Sequence, residues 1–253
     1  MGLAHTGFVK KGPRVREVFH NELESIADSL VEMAEKATSA MEKSVEALLN
    51  NDLELAQQVI SDDDSIDGMQ ADLDQRSAEV LALQAPVAAD LRVVISALKM
   101  SVAIERMGDL ARHIGSLVRI RYPENALPDQ FRDVFTHMGT TAVRIGRALV
   151  QLLTEPGTSA VPMIAAIDEE MDTLHLRVFT IIGELARSEI SPSQIADVTL
   201  ISRYFERFGD QAVNVSHRVE YLLTGSFEPT LAGMYDTQSG RKPLTDTPEG
   251  EQN

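Results

Sequence analysis

An apolar stripe with helical spacing is the feature that most constrains the fold of this chain. From Arg14 to about Leu49, apolar side chains recur every three or four residues, which is the period of an amphipathic α-helix. The members of this stripe are Val15, Phe19, Leu23, Ile26, Leu30, Met33, Ala37, Met41, Val45 and Leu48. Such a long apolar face must be buried against other helices. The pattern therefore predicts a helical bundle.

Breaks in the helical pattern predict two more helices in the first half of the chain. Asn51, with Glu54 three residues later, resembles a capping box and opens a second helix that continues to about Gln84. Pro86 is expected in the first turn of a third helix, because proline is tolerated there and disfavoured inside a helix. This helix is expected to end at Tyr122-Pro123.

The second half of the chain follows the same plan. Residues 129–154 and 159–187 have helical periodicity and are separated by a proline-glycine break. The sixth helix has the clearest start, because Ser191 supplies an N-cap, Pro192 the first helical position and Gln194 the closing residue of a capping box.

The two halves of the chain are similar in sequence. Under a shift of 105 positions, Met33, Ala37, Val45, Leu48, Asp63 and Asp67 become Met138, Ala142, Val150, Leu153, Asp168 and Asp172. We therefore expect an all-α fold of two tandem antiparallel three-helix bundles, related by internal duplication and spanning 14–123 and 124–225. Residues 1–13 and 226–253 are expected to be disordered extensions.

Each repeat contains two acidic pairs with the spacing acid-x-x-x-Asp. They are Asp63 with Asp67, Glu105 with Asp109, Asp168 with Asp172, and Glu206 with Asp210. Residues four apart share one helix face, and counting from the two hairpin turns places both pairs of a repeat at the same level. Carboxylates grouped in this way repel one another unless protons, arginines or metal cations offset their charge. Oxygen ligands alone suit Mg²⁺, Ca²⁺, Mn²⁺ or iron.

The residues beside these pairs add further expectations. A glycine inside a helix costs about 1 kcal/mol relative to alanine, so Gly108 and Gly209 indicate close approach of backbone, ligand or another helix. Arg106 and Arg207 are expected to serve a neighbouring helix or subunit. Imidazoles on the acidic faces could complete a metal site, but we favour hydrogen-bonded roles at the surface or beside the metal ligands. The histidines concerned are His113, His175 and His217.

Composition and missing motifs exclude several classes of function. The formal net charge of −16 argues against a nucleic-acid binder, which needs a basic surface. The absence of cysteine excludes disulfides, thiolate metal sites and cysteine nucleophiles. No uncharged apolar run approaches the ~18 residues of a membrane span, so we expect a soluble, cytoplasmic protein. No phosphate loop, nucleophile elbow or His-Glu-x-x-His motif occurs, so no other part of the sequence is expected to be catalytic.

Five segments carry a resemblance to a known family. They are Phe19-His20-Asn21-Glu22-Leu23, Ala89-Asp90-Leu91-Arg92, Leu98-Lys99-Met100, Glu105-Arg106-Met107-Gly108-Asp109 and Phe205-Glu206-Arg207-Phe208-Gly209-Asp210. Together they resemble the PhoU family, regulatory proteins of bacterial phosphate-specific transport. The resemblance extends over about 14–225 and includes both repeats.

The resemblance implies two metal centres of iron, manganese, magnesium or zinc, with no catalytic residues. One centre would be formed by Asp63, Asp67, Glu105 and Asp109, and the other by Asp168, Asp172, Glu206 and Asp210. It further implies a cytoplasmic, often dimeric protein held at the inner face of the membrane by its partners. These are the ATPase subunit of the phosphate ABC transporter and a sensor histidine kinase, and phosphate-starvation genes are repressed when phosphate is plentiful.

Three interpretations of the carboxylates follow. The first is a non-enzymatic, metal-binding adaptor, and the second is a carboxylate-bridged oxidase or phosphoesterase with open metal positions. The third is a helical scaffold whose acids are simply solvated. Two differences between the repeats put the equivalence of their sites in doubt. Gly68 corresponds to Thr173, and the segment Asp90-Leu91-Arg92 becomes Asp197-Val198-Thr199.

Overall fold

A computed structural model describes residues 13–185 and 189–225 of the chain, and side chains from residue 18 onward. Its helices are α1 (Pro13–Asn50), α2 (Leu53–Gln84), α3 (Ala89–Arg121), α4 (Arg132–Thr154), α5 (Ala160–Glu184) and α6 (Pro192–Thr224), with a short 3₁₀ turn at Asp129–Phe131. The prediction of an all-α fold is confirmed. The disorder expected for 1–12 and 226–253 concerns residues outside this description, whereas Pro13 begins α1.

Two antiparallel three-helix bundles pack broadly against each other. Helices α1, α2 and α3 form the first bundle and α4, α5 and α6 the second, while α1 packs on α4 and α3 packs on α6. Helices α3 and α6 are antiparallel, because Arg121 binds Asp197 near one end and Arg92 donates to the carbonyl of Gly225 at the other. Helix α2 mainly contacts α1 and α3, and helix α5 mainly contacts α4 and α6, so each is the outer helix of its own bundle.

The core is continuous through both bundles. The apolar stripe of α1 is buried as expected, and Ile26, Leu30, Met33, Ala37, Met41 and Leu48 belong to this core. Phe131, Phe135, Phe205 and Phe208 fill the second bundle. Burial of each such side chain contributes roughly 1.5–3 kcal/mol, so the core supplies the main stabilisation of the fold. Across 13–185 and 189–225, no helix combines the length and apolarity needed to cross a membrane.

The predicted N-cap of the sixth helix is confirmed, whereas the predicted N-cap of the second helix was wrong. Ser191 and Gln194 form the expected capping box. At the start of α2, Asp52 rather than Asn51 accepts the hydrogen bond from the backbone N–H of Leu55. Asn51 instead has a positive φ of 52° and donates through Nδ2 to the carbonyl of Pro123. Because of this contact, the side chain of Asn51 does not cap the first turn of α2.

Three other helix boundaries differ from the prediction. Helix α3 starts at Ala89, because positive φ values at Ala85 and Ala88 extend the turn beyond Pro86. The predicted fourth helix, 129–154, begins with the 3₁₀ turn. The predicted fifth helix, 159–187, ends in the structure at Glu184, and its expected last residue lies outside the described part of the chain.

We expect Gly146→Ala to lower the free energy of unfolding by about 1–3 kcal/mol, which is typical of overpacking. A Cβ at this position in α4 would lie 2.5 Å from Oγ1 and 2.8 Å from Cγ2 of Thr38 in α1. Thr38 is buried and donates to the carbonyl of Ala34, and its branched side chain has few alternative rotamers. Chemical denaturation followed by circular dichroism would measure the change.

The matched control is Gly68→Ala, in the exposed face of α2. A Cβ there would meet no atom within 4 Å. The control should therefore gain about 0.5–1 kcal/mol of stability from the higher helix propensity of alanine. Equal effects of the two substitutions would contradict the close packing of α1 on α4.

Candidate metal centres

The eight predicted acids lie on two seams between helices. The first cluster is Asp63, Asp67, Glu105 and Asp109 on α2 and α3, and the second is Asp168, Asp172, Glu206 and Asp210 on α5 and α6. Each cluster has a buried end and an open end. Asp63 is only 6% exposed and the Glu206 side chain 12%, whereas Asp67, Asp172 and Asp210 are exposed.

Electrostatic interactions show that the first cluster assembles across its seam. Burial raises the pKa of Asp63, and the negative charges of Asp109 and Asp67 raise it further, although Arg112 opposes them. Burial also raises the pKa of Glu105, followed by the charges of Asp109 and Asp67. The two acidic pairs of α2 and α3 are therefore close enough to repel each other, as the residue count from the turn predicts.

Arg112 is a residue of the first cluster that the sequence analysis missed. Its Nε lies 2.5 Å from Oδ2 of Asp63, and its terminal nitrogen contacts Oδ1 of Asp109. The guanidinium thus joins α2 to α3 and offsets part of the negative charge. Its spacing of three residues from Asp109 is the signal that would have indicated this pairing.

The second cluster carries more uncompensated negative charge at its buried end. Burial, with the charges of Asp172 and Asp210, raises the pKa of Asp168 to about 7. Burial and the charge of Asp210 raise the pKa of Glu206 to about 7. Burial is also the main reason why the pKa values of Asp172 and Asp210 are raised. Protons or cations are needed to stabilise this arrangement.

Two carboxylate oxygens of the second cluster have no partner. Oδ1 of Asp168 and Oε2 of Glu206 are buried without a hydrogen bond. Arg203, which the sequence analysis also missed, contacts only the other oxygen of Glu206. A buried acceptor without a donor is costly, and the cost is greater when it is charged. The two oxygens are therefore suited in chemistry and burial to a hard cation.

The arginines make the two clusters chemically different. The position of Arg112 in the first repeat corresponds to Val213 in the second, and that of Arg203 corresponds to Val102. Arg112 bridges two acids from different helices, whereas Arg203 pairs with an acid on its own helix. This difference agrees with the sequence differences between the repeats, which also argue against strict equivalence of the two sites.

The close approach predicted at the two helical glycines is confirmed. A Cβ at Gly108 would lie 2.8 Å from Cδ1 of Ile66 and 3.2 Å from Oδ1 of Asp63. A Cβ at Gly209 would collide with Oδ1 of Asp168. In each repeat the missing side chain lets the buried carboxylate of the outer helix lie against the inner helix.

The three histidines make contacts beside the clusters. Nδ1 of His175 is hydrogen bonded to the hydroxyl of Ser202, and His217 lies 3.5 Å from Glu220. The ring of His113 packs on Tyr204 with centroids 5.2 Å apart. Burial lowers the pKa of His113 and of His175, which favours neutral rings. The hydrogen-bonding role expected for His175 and His217 agrees with these contacts. For His113 the expectation was wrong, because its Nδ1 is buried without a hydrogen-bond partner in the described part of the chain and its ring packs on an aromatic side chain instead.

The side chains do not form a completed metal site as they stand. Among the residues described, no three histidine, aspartate or glutamate groups are close enough together to hold one ion. The donor set, the mutual repulsion and the orphaned oxygens of the second cluster still fit a cation. Metal binding by the eight acids therefore stays a prediction.

Comparisons with known proteins identify relatives that span both bundles. The sequence matches the PhoU domain over residues 30–118 and again over 135–219. It is 39% identical over 213 residues to the phosphate-specific transport system accessory protein PhoU homolog 2 of Mycobacterium tuberculosis, covering 84% of this chain and 100% of the relative.

Solved structures show the same similarity. The chain aligns with PhoU from Pseudomonas aeruginosa with a TM-score of 0.75 and 28% identity, over 82% of this chain and 100% of that one. It aligns with the phosphate transport system regulatory protein PhoU from Streptococcus pneumoniae with a TM-score of 0.74 and 28% identity, over 83% and 98%. Each PhoU domain match falls within one bundle, in agreement with the predicted duplication. The chain belongs to the PhoU family.

Proposed function

We propose that this protein is a non-enzymatic negative regulator of phosphate uptake and of phosphate-starvation signalling. It would act as an adaptor between the ATPase subunit of a phosphate ABC transporter and a sensor histidine kinase. The observation that carries the proposal is the similarity to an accessory protein of phosphate transport over that relative's whole length. A regulatory relative has the same fold. These roles favour an adaptor over the metalloenzyme that the carboxylates alone also allow.

The proposal includes one cation centre at each cluster. The first would use Asp63, Asp67, Glu105 and Asp109, and the second Asp168, Asp172, Glu206 and Asp210. Bound iron, manganese, magnesium or zinc would supply positive charge that links the outer helix of each bundle to the inner one. The orphaned oxygens of Asp168 and Glu206 support this part of the proposal.

Regulation then requires that the adaptor bind one state of its partners more tightly than another, because only differential affinity shifts an equilibrium. We propose that the protein works as a cytoplasmic homodimer, held at the inner face of the membrane by these partners. Its effect on transcription would be indirect, through the kinase. The family resemblance supports this arrangement.

Deleting the gene in phosphate-replete cells should raise expression from a phosphate-starvation promoter by about tenfold or more, which corresponds to a coupling of at least ~1.4 kcal/mol. The reason is that the kinase would lose its repressing partner. A reporter fused to the promoter measures the change, and the wild-type gene should restore repression. Unchanged expression after deletion would contradict the proposed function.

Variants in the same strain test the part played by the second cluster. The double substitution Asp168→Asn with Glu206→Gln should restore repression poorly, because it removes two anionic ligands. Glu169→Gln is the matched control, since this exposed acid is adjacent in sequence to Asp168 and belongs to neither cluster. Full repression by the double variant would limit the role of the cluster to structure.

A further inference from the structure

We propose that Arg106 and Arg207 together bind one inorganic phosphate ion over the seam between α3 and α6, between the two acidic clusters. This inference rests on the proposed function and deepens it, because it names the ligand that such a regulator would sense.

The two arginines have equivalent places on two paired helices. Arg106 directly follows Glu105 on α3, and Arg207 directly follows Glu206 on α6. Arg121 lies opposite Asp197 and His113 lies opposite Tyr204, so the antiparallel pairing of these helices places residue 108 opposite about residue 209. Arg106 and Arg207 are therefore displaced from each other by about 6 Å along the seam, at 1.5 Å per residue. Helices in contact lie roughly 8–10 Å apart, so two extended guanidinium groups can reach one small ion.

His113 shows which face of α3 the pair shares. It follows Arg106 by seven residues, or about two helical turns, so the two side chains lie on the same face. The ring of His113 packs on Tyr204 of α6. Burial and Arg112 lower the pKa of His113 most, and the charge of Arg207 lowers it further. Arg207 on α6 is therefore close to the face of α3 that carries Arg106.

Both arginines are available to a ligand. They are exposed, and neither makes a hydrogen bond or an ion pair within the part of the chain that the structure describes. Their charges act only at longer range, where Arg106 lowers the pKa of Glu105 and Arg207 that of Asp210, each against a larger effect of burial. By contrast, Arg112 and Arg203 are already paired with cluster acids. The planar fork of N–H donors on a guanidinium matches the oxygens of phosphate, and two such forks bind more strongly than one.

The acidic clusters on either side make the affinity dependent on cations. Their net negative charge repels an anion, and Arg112 and Arg203 offset only part of it. Divalent cations at the clusters would reverse the sign of this local field. Phosphate should then bind more tightly when the cation is present, and by linkage the cation should bind more tightly when phosphate is present.

Equilibrium dialysis of the full chain against radiolabelled inorganic phosphate tests the proposal, with and without excess Mg²⁺. We expect saturable binding of one phosphate per chain, strongest with Mg²⁺. Arg106→Ala and Arg207→Ala should each weaken it by about tenfold or more, the expected loss for a charge-assisted pair of hydrogen bonds. Arg119→Ala is the matched control, because Arg119 is another exposed, unpaired arginine of α3 in the described region.

Three results would overturn the proposal. These are the absence of saturable binding in both cation conditions, binding that neither arginine substitution weakens, and an equal loss in the Arg119→Ala control. The reporter strain separates this inference from the proposed function. If deletion derepresses the promoter but the wild-type protein binds no phosphate, only the inference fails. If deletion leaves the promoter silent, the proposed function fails whether or not phosphate binds.

Discussion

The metal-free double variant Asp168→Asn with Glu206→Gln is expected to be about 3 kcal/mol more stable than the wild type near pH 8, with a difference that shrinks toward pH 4. Burial, with repulsion from other acids of the second cluster, raises the pKa of each group to about 7. Ionising them inside the folded protein at high pH is therefore unfavourable. Amides of the same shape avoid that cost.

The direction of the pH dependence follows from proton binding. The ordinary pKa values of Asp168 and Glu206 are 3.8 and 4.5, so their folded values are raised. The folded state then binds more protons than the unfolded state between about pH 4 and pH 7, and wild-type stability falls as the pH rises through this window. Each pKa unit is worth about 1.4 kcal/mol, and solvent screening from the open end of the cluster reduces the sum to about 3 kcal/mol.

Urea denaturation in the presence of a chelator, at several pH values from about 4 to about 8, measures this effect. The corresponding change in melting temperature near pH 8 is about 6–12 °C for a chain of this size. Glu169→Gln should change the wild-type slope only slightly, because that acid is exposed and its charge is the weakest of the four acid charges that raise the pKa of Asp168. Added Mn²⁺ should stabilise the wild type more than the double variant. Parallel curves for wild type and double variant would show that the two acids do not carry the pH dependence.

The helices themselves follow from local sequence patterns. The apolar stripe of α1 and the capping box of Ser191 and Gln194 each depend on residues that are near in sequence. The N-cap of α2 was assigned to the wrong residue, because the side chain of Asn51 donates a hydrogen bond to the carbonyl of Pro123, which is 72 residues away. A contact between residues so far apart in sequence cannot be recognised from the helical periodicity of either segment.

The level of the acidic pairs was predictable because a helix is a rod with a fixed rise per residue. Counting from two turns was enough to bring α2 opposite α3 and α5 opposite α6. The counterions were not predicted. The sequence assigned Arg106 and Arg207, which are adjacent to the glutamates, to a neighbouring helix or subunit. The pairs within the clusters are made by Arg112 and Arg203, each three residues from its acid.

The degree of burial of each carboxylate could not be predicted from the sequence either. Asp63 is buried and Asp67, on the same helix face, is exposed. A helical wheel gives the direction of a side chain but not how closely the neighbouring helix approaches. That approach depends on Gly108 and Gly209, whose missing side chains make room for Asp63 and Asp168. The sequence indicated a close approach at both glycines, but not that a carboxylate of the neighbouring helix occupies the space.

Arg112→Ala is expected to destabilise the metal-free protein by about 2 kcal/mol. Its guanidinium bridges Asp63, whose side chain is 7% exposed, to Asp109. Removing one partner of a buried ion pair costs roughly 3–5 kcal/mol because the other charge stays buried, and the 33% exposure of the Arg112 side chain reduces this to about 2 kcal/mol. Chemical denaturation with a chelator measures the loss. Arg147→Ala is the control, since its pair with Glu42 is 67% and 56% exposed and should contribute at most about 0.5 kcal/mol.

The same variant should respond more strongly to cations than the wild type does. Without Arg112, the oxygens of Asp63 and Asp109 are released to other positive charges, so Mn²⁺ should bind the first cluster about tenfold more tightly and restore the lost stability. Titration of Mn²⁺ by calorimetry and denaturation with Mn²⁺ measure the two effects. A variant as stable as wild type in chelator would mean that Asp63 does not depend on the arginine. Equal stabilisation of variant and wild type by Mn²⁺ would mean that guanidinium and cation do not compete. The second cluster has valine at the position of Arg112. A cation that binds there should therefore displace protons from the carboxyl groups rather than a guanidinium group.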